Sequence, residues 1–298
     1  MNRIAIWVGL LILLINLVRA FPDVSFERSP PQDPRSTPPG RAAEPPLPVP
    51  PPGVFGGRPV PGPRPDDPLA VVEERARETA DTVGTAFAID GAGRWLTARH
   101  VIEGCRGVSL HIGGRWRPAV VMDVHATADA ALVGTPGVAA PPLPFGPATL
   151  LFEQDGFHSG YPGFSPGDVH SKLLGRVRVM HNRRSGSVEY AYVWAELSRV
   201  PDREASLGGI SGGPLFDAGG RLIGINIAES SRRGRITTSS PETMRQLAGP
   251  KDIAAPVAEF RAANFPEQGR AVRAAGSVVR VFCARTGAGL PAVRRGEI

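Results

Sequence analysis

The sequence predicts an all-β fold for its central part, residues 74–248, and three observations carry that expectation. Short strand-like runs recur at Gly84–Ile89, Arg94–Ala98, Val108–Ile112, Pro118–Val124, Leu173–Met180, Glu189–Glu196 and Leu222–Ile227. Gly, Pro and Asp punctuate the gaps between them, the pattern of a barrel or sandwich and not of a helical bundle. The chain beyond its proline-rich stretch, about 225 residues, is long enough for one sizeable core and an appendage.

Residues 1–20 precede all of this. Met1-Asn2-Arg3 leads into an apolar run from Ile4 to Ile15 that resumes after Asn16 and ends at Val18, before Arg19-Ala20. The run is short for a spanning helix, which needs about 20 residues, and long for a secretory signal, whose apolar region is about 7–15. Val18 and Ala20 have the small-residue spacing of a cleavage site, so a cleaved signal peptide and a retained signal-anchor helix both remain open, the second giving a membrane anchor. Either one exports the body of the protein, to the periplasm, the exterior or the outer face of the cytoplasmic membrane.

Residues 21–73 read as a proline-rich disordered linker: Phe21 to Pro68 holds about half of the chain's 32 prolines and almost no apolar periodicity. Such a composition favours extended polyproline II and buries too little surface to offset its ordering entropy. A proline-rich ligand for a recognition domain is the sharper alternative. The two cysteines, Cys105 and Cys283, form an even pair, which in an oxidising compartment permits one disulfide; two buried free thiols are the alternative.

After the strands, Arg235 to Thr238 reads as a last strand, and Ser240-Pro241-Glu242 opens a short helix through Met244 and Leu247. Ser caps it, Pro sits in the first turn, and Glu complements the helix dipole. Residues 249–298 form a C-terminal extension, with one further helix expected over Pro256 to Asn264 and a strand-like run from Val278 to Cys283.

Net charge is +6, but the cations are almost all arginine, with lysine only at 172 and 251, and they are scattered. The longest runs are the pairs Arg183-Arg184, Arg232-Arg233 and Arg294-Arg295, so the balance describes a solvated basic surface and not a nucleic-acid interface. No metal-ligand spacing and no phosphate-binding loop is present, so no cofactor is expected.

The chemistry concentrates in Gly209-Ile210-Ser211-Gly212-Gly213-Pro214. Glycines around a serine let the backbone turn tightly, so that the hydroxyl protrudes and N–H groups converge on one point; an ordinary turn has the same composition. Two partners stand upstream, His100 in Thr97-Ala98-Arg99-His100 and Asp129 in Asp129-Ala130-Ala131-Leu132. Serine needs a base to remove its proton, and imidazole, with a free pKa near ~6.5, can serve. Asp123 is the competing acid.

With Gly84-Thr85-Ala86-Phe87, Gly160-Tyr161-Pro162 and Leu222 to Asn226, these pieces make the chain resemble a chymotrypsin-fold serine peptidase, nearest to the bacterial HtrA-like branch. The likeness runs from about Glu74 to Ala248 and keeps the family's order of histidine, aspartate and serine. It implies two packed six-stranded antiparallel β-barrels with a short C-terminal helix, the site lying in the cleft between them. It implies a triad of His100, Asp129 and Ser211, an oxyanion hole from the N–H groups of Gly209 and Ser211, and a first substrate pocket with Ala205 at its base and Ile227, Ala228 and Glu229 on its wall. With no acid at that base, a small or medium apolar side chain is the expected preference and a protein or peptide the substrate. Residues 249–298 are too short for the PDZ module of HtrA-like proteins, so their oligomeric assembly is not carried over and the oligomeric state is unknown.

Two positions depart from the family. Ile210 stands where relatives carry Asp or Asn, which implies a site independent of a newly exposed N-terminal amine, or else a distorted, inactive one. Arg99 replaces a small residue. A silent protease-fold binding module and an anchored envelope adaptor are the readings from other classes.

Overall fold

The computed structural model describes residues 57–72, 80–138, 140–181, 187–202, 206–230, 234–255 and 258–286. The expected signal or anchor helix and most of the proline-rich stretch lie outside them, as does Ala205. Among the described residues no helix is long and apolar enough to cross a membrane.

In chain order the elements are β1 (Leu69–Val72), β2 (Thr82–Ala88), β3 (Arg94–Thr97), α1 (Arg99–Ile102), β4 (Gly107–Ile112), β5 (Arg115–Val124) and β6 (Ala131–Gly134). There follow β7 (Asp155–Gly160), a 3-10 turn (Pro162–Phe164), β8 (Gly167–His181), β9 (Val188–Val200), β10 (Pro214–Phe216), β11 (Leu222–Ser230) and β12 (Arg235–Ser239). The described elements end with α2 (Pro241–Ala248), α3 (Phe265–Ala274) and β13 (Val278–Ala284).

The strands close into two six-stranded antiparallel barrels. The first runs β13-β2-β3-β6-β5-β4, with β4 returning to β13. The second runs β8-β7-β10-β11-β12-β9, and β9 closes on β8 over the long ladder from Asp168↔Val200 to Met180↔Val188. Closure leaves no free sheet edge within either ring. Trp95, Leu110, Val133 and Val281 fill the first interior, and Leu173, Trp194, Leu215 and Ile223 the second. A third cluster takes Phe87, Leu96 and Val278 from the first barrel and Phe157, Phe216 and Ile225 from the second, and welds the two together.

Two segments set apart by composition pack onto the barrels. The end of the proline-rich stretch lies on the second barrel: Val60 joins its core, Asp67 pairs with Arg176 at 2.9 Å, and β1 adds to β8 in parallel. The C-terminal extension supplies β13, which pairs with both β2 and β4 and without which the first ring would stay open. Val278 packs in the cluster between the barrels and Val279 and Val281 in the first interior, and the strand is buried from Val278 to Cys283.

Cys283 on β13 and Cys105 after α1 form a disulfide that spans 178 positions. α2 is capped as expected, with the Ser240 hydroxyl accepting from the Thr243 N–H and Pro241 in its first turn. In place of the helix expected over Pro256 to Asn264, α3 forms at Phe265–Ala274 with Pro266 in its first turn, while the Asn264 side chain turns back to accept from the Arg261 N–H and donate to the Glu259 carbonyl. Its Arg273 forms a fork with Asp168 on β8, at 2.7 and 2.6 Å.

Candidate active site

β3 delivers the chain straight into the single turn of α1, and Ala98, in an extended conformation, makes the change of direction. His100 therefore sits one step beyond the end of a buried strand. Its backbone N–H donates to Asp129 Oδ1 at 2.9 Å and its Nδ1 lies 2.6 Å from Asp129 Oδ2, so one carboxylate grips both backbone and ring. The His100 side chain is 30% exposed while that of Asp129 is 2% exposed. Burial would raise the Asp129 pKa, but the charge of His100 and its hydrogen bond, with the charge of His181 and the His100 N–H, hold the carboxyl far below its usual range. Asp129 stays ionised. Asp123, the competing acid, is exposed and accepts from the Val124 N–H.

The loop carrying Asp129 is tied at several points. The His125 N–H donates to the Ala130 carbonyl, and His125 Nδ1 accepts from the Ala128 N–H. Arg99 donates to the His125 carbonyl at 3.3 Å while pairing with Glu103. Its unusual side chain thus fastens α1 to the Asp129 loop.

Ser211 lies in a turn leading into β10, between Gly209 at φ 108° and Gly212 at φ 83°. Both need glycine, since left-handed backbone is strained for other residues. At Gly212 contact demands it too, for a Cβ there would stand 2.1 Å from the Thr85 carbonyl oxygen and 2.9 Å from the Ala98 nitrogen. The serine turn is thereby pressed against the backbone two residues before His100.

Thr85 on β2 completes the junction: its N–H donates to the Ser211 carbonyl at 2.8 Å and its hydroxyl to the Gly209 carbonyl at 2.8 Å. On the other side, Asn226 accepts from the Gly212 N–H and donates to the Gly213 carbonyl. The Ile210 N–H is taken by Leu207 and the Gly213 N–H by Ile210. In this turn only the N–H groups of Gly209 and Ser211 find no acceptor among the described residues. Ile210 is buried with Val169, Leu207 and Ile236.

The segment beside the turn is strained. Gly163 and Phe164 have φ of 58° and 71°, and the Gly163 N–H donates to the Gly208 carbonyl at 2.8 Å, orienting the peptide that ends in the Gly209 N–H. Arg280 of β13 holds this segment by donating to the Phe164 carbonyl at 2.9 Å and lying 4.8 Å over the Tyr161 ring.

The expected pocket wall is less uniform. Ile227 is buried beside Val179 and Ala191, Ala228 packs at the edge of that cluster, and Glu229 accepts from the Ser206 hydroxyl at 2.6 Å. Ala205 is outside the described residues. Sequence reasoning passed over Thr85 as a site residue, as it did Arg280 and Asn226; Thr85 carried a signal in its Gly-Thr-Ala-Phe context and Asn226 in the run from Leu222, while Arg280 carried none. Among the described residues no group of three or more His, Cys, Asp or Glu is placed to hold a metal ion.

Residues 84–225 match the family model for a trypsin-like peptidase domain. The serine proteases MT3772 and Rv3671c, from two Mycobacterium tuberculosis strains, are each 30% identical over 143 residues, which is 48% of this chain and 35% of theirs. The chain thus spans about a third of the length of these curated relatives. Of solved structures, the active form of the M. tuberculosis Rv3671c protease has a TM-score of 0.46 at 18% identity, covering 66% of this chain and 95% of that one. The HtrA-type protease AlgW with a decapeptide has a TM-score of 0.45 at 19% identity, covering 62% and 52%. The stretch that matches the trypsin-like peptidase domain model, residues 84–225, contains His100, Asp129 and Ser211.

Proposed function

We propose that the protein is an exported serine endopeptidase in which Ser211 is the nucleophile, His100 the general base and acid, and Asp129 the group that fixes His100. The observation that carries the reading is the double grip of Asp129 on His100, through the backbone N–H at 2.9 Å and Nδ1 at 2.6 Å. With Nδ1 committed to a buried carboxylate, Nε2 is the nitrogen available to serine.

Ser211 Oγ attacks the scissile carbonyl as its proton passes to His100, and the carbonyl oxygen becomes an oxyanion received by the N–H groups of Gly209 and Ser211. His100 then protonates the leaving amine, and an acyl-enzyme remains on Ser211. Water, deprotonated by His100, attacks the ester; collapse of the second tetrahedral intermediate releases the acid and returns the proton to Ser211.

Ile210, packed in its apolar cluster, has no charge to offer an N-terminal amine, which supports a site that needs no activating cleavage. The substrate is a protein or peptide with a small or medium apolar side chain at the cleaved position. Export is supported by the Cys105–Cys283 disulfide, a bond that persists in oxidising compartments, and by the apolar run Ile4 to Val18. A fluorophosphonate probe should label the wild-type protein and leave Ser211→Ala unlabelled. Labelling retained in that variant refutes the assignment of the nucleophile.

A further inference from the structure

A second carboxylate stands behind Asp129. Glu189, near the start of β9, has a side chain 1% exposed, and its Oε2 accepts the backbone N–H of Asp129 at 2.9 Å. The same oxygen lies 3.2 Å from His181 Nε2, at the end of β8, and that side chain is also 1% exposed. Oε1 accepts from the Ser239 hydroxyl on β12. Three strands of the second barrel therefore converge on a group whose remaining partner belongs to the first.

A carboxylate this deep is costly unless each oxygen is met by donors, so its retention asks for a reason. The barrel core beneath does not supply one, since an apolar side chain would fill the space with less desolvation. The Asp129 contact does. Each Asp129 oxygen faces His100, one on its backbone N–H and one on its ring, so the direction of the carboxylate matters, and holding the Asp129 backbone fixes that direction. The N–H that Glu189 takes is the nearest backbone handle, and a hydrogen bond to an ionised acceptor is short and strong.

We infer that Glu189, held by His181 and Ser239, is a positioning residue for proton transfer: it clamps the Asp129 backbone across the barrel seam so that both carboxylate oxygens meet His100. The inference rests on the triad reading above. The titratable groups facing Glu189 are His181 from β8 and Asp129 from the loop before β6, with His100 on the far side of Asp129. Glu189 therefore acts on the His100–Asp129 pair through the Asp129 backbone N–H that it holds.

The test compares Glu189→Gln, which keeps an acceptor for the Asp129 N–H without the charge, with Glu189→Leu, which keeps bulk and removes the acceptor. Peptidase kcat and KM, the acid limb of the kcat/KM profile and the thermal midpoint are measured for each, with fluorophosphonate labelling of wild type and Ser211→Ala alongside. Expected is a kcat loss of about tenfold for Gln and about a hundredfold for Leu, the scale of a misplaced catalytic group, with KM within about twofold. The acid limb of the Gln variant moves to lower pH, because a less firmly held Asp129 stabilises protonated His100 less. The Gln variant decides the matter if Leu does not fold. A Gln variant with wild-type kcat and an unmoved acid limb overturns the inference, as does a kcat loss that merely follows the folded fraction. Failure of the wild-type protein to label at Ser211 overturns the triad reading itself, a separate result.

Discussion

Thr85 and Gly209 are 124 positions apart, yet the threonine hydroxyl donates to the glycine carbonyl at 2.8 Å and so ties the first barrel to the turn that carries Ser211. The Thr85 hydroxyl also accepts from the Tyr161 N–H, and the Thr85 carbonyl accepts from Thr97. One side chain thereby references the serine turn to the strand that delivers His100. Thr85→Val keeps shape and removes the donor. It should lower kcat about tenfold to a hundredfold with little change in KM, because the Gly209 carbonyl, one step along the backbone from the Gly209 N–H, loses its anchor. Steady-state kinetics on a peptide substrate check this.

Arg280 makes a comparable demand from further away. Its bond to the Phe164 carbonyl and its place over Tyr161 hold the strained pair at 163 and 164, whose N–H fixes the Gly208 carbonyl. Arg280→Met should cost about tenfold in kcat, and affinity for a peptide aldehyde, which forms a tetrahedral adduct, should fall more than affinity for a product peptide. Equal losses for both would assign Arg280 to substrate binding instead.

Acid should destabilise the second barrel before it reaches the carboxylates. Burial pushes His158 down to about 4, against an opposing hydrogen bond from Asn226, and nearby His170 lowers it further. The unfolded histidine titrates near ~6.5, so the unfolded state binds the extra proton. The contribution is complete above about pH 6.5 and is lost as pH falls toward 4, amounting to about 3 kcal/mol. Urea unfolding at stepped pH should show that slope, and His158→Gln should flatten it.

The disulfide closes a loop of 178 positions, for which chain entropy gives about 5 kcal/mol as a ceiling. Replacing both Cys105 and Cys283 with alanine should lower stability by about 2–5 kcal/mol, read from denaturant midpoints. Mass mapping without reductant should recover one peptide joining the two cysteines.

Strands with an apolar character of their own were legible in the sequence, and so were the cap of α2 and the glycine-framed serine. β7 was not: Asp155-Gly156-Phe157-His158-Ser159-Gly160 looks like a loop, yet it lies inside the barrel because His158 bonds to Asn226 and Ser171, and Ser159 to Asp168. β10 has three residues, too few for any period. The run of β13 was visible, but its neighbours, β2 and β4, lie more than 160 positions upstream, and local pattern carries no information about partners at that range. Glu189 stayed hidden for the same reason. A glutamate in a predicted strand reads as a solvent-facing position until the fold brings Asp129 to it.

The placement of β13 has a bearing on how the protein is made. A ribosome adding residues from the N-terminus completes β2 long before the strand that must lie beside it, and the nascent first ring waits, open on one side, for nearly two hundred further additions. His100 and Asp129 are translated early but sit in a ring that cannot shut until Val278–Ala284 emerges. A product truncated before Val278, or one still short of it in synthesis, lacks the last stave, so the residues of the first ring are gathered late.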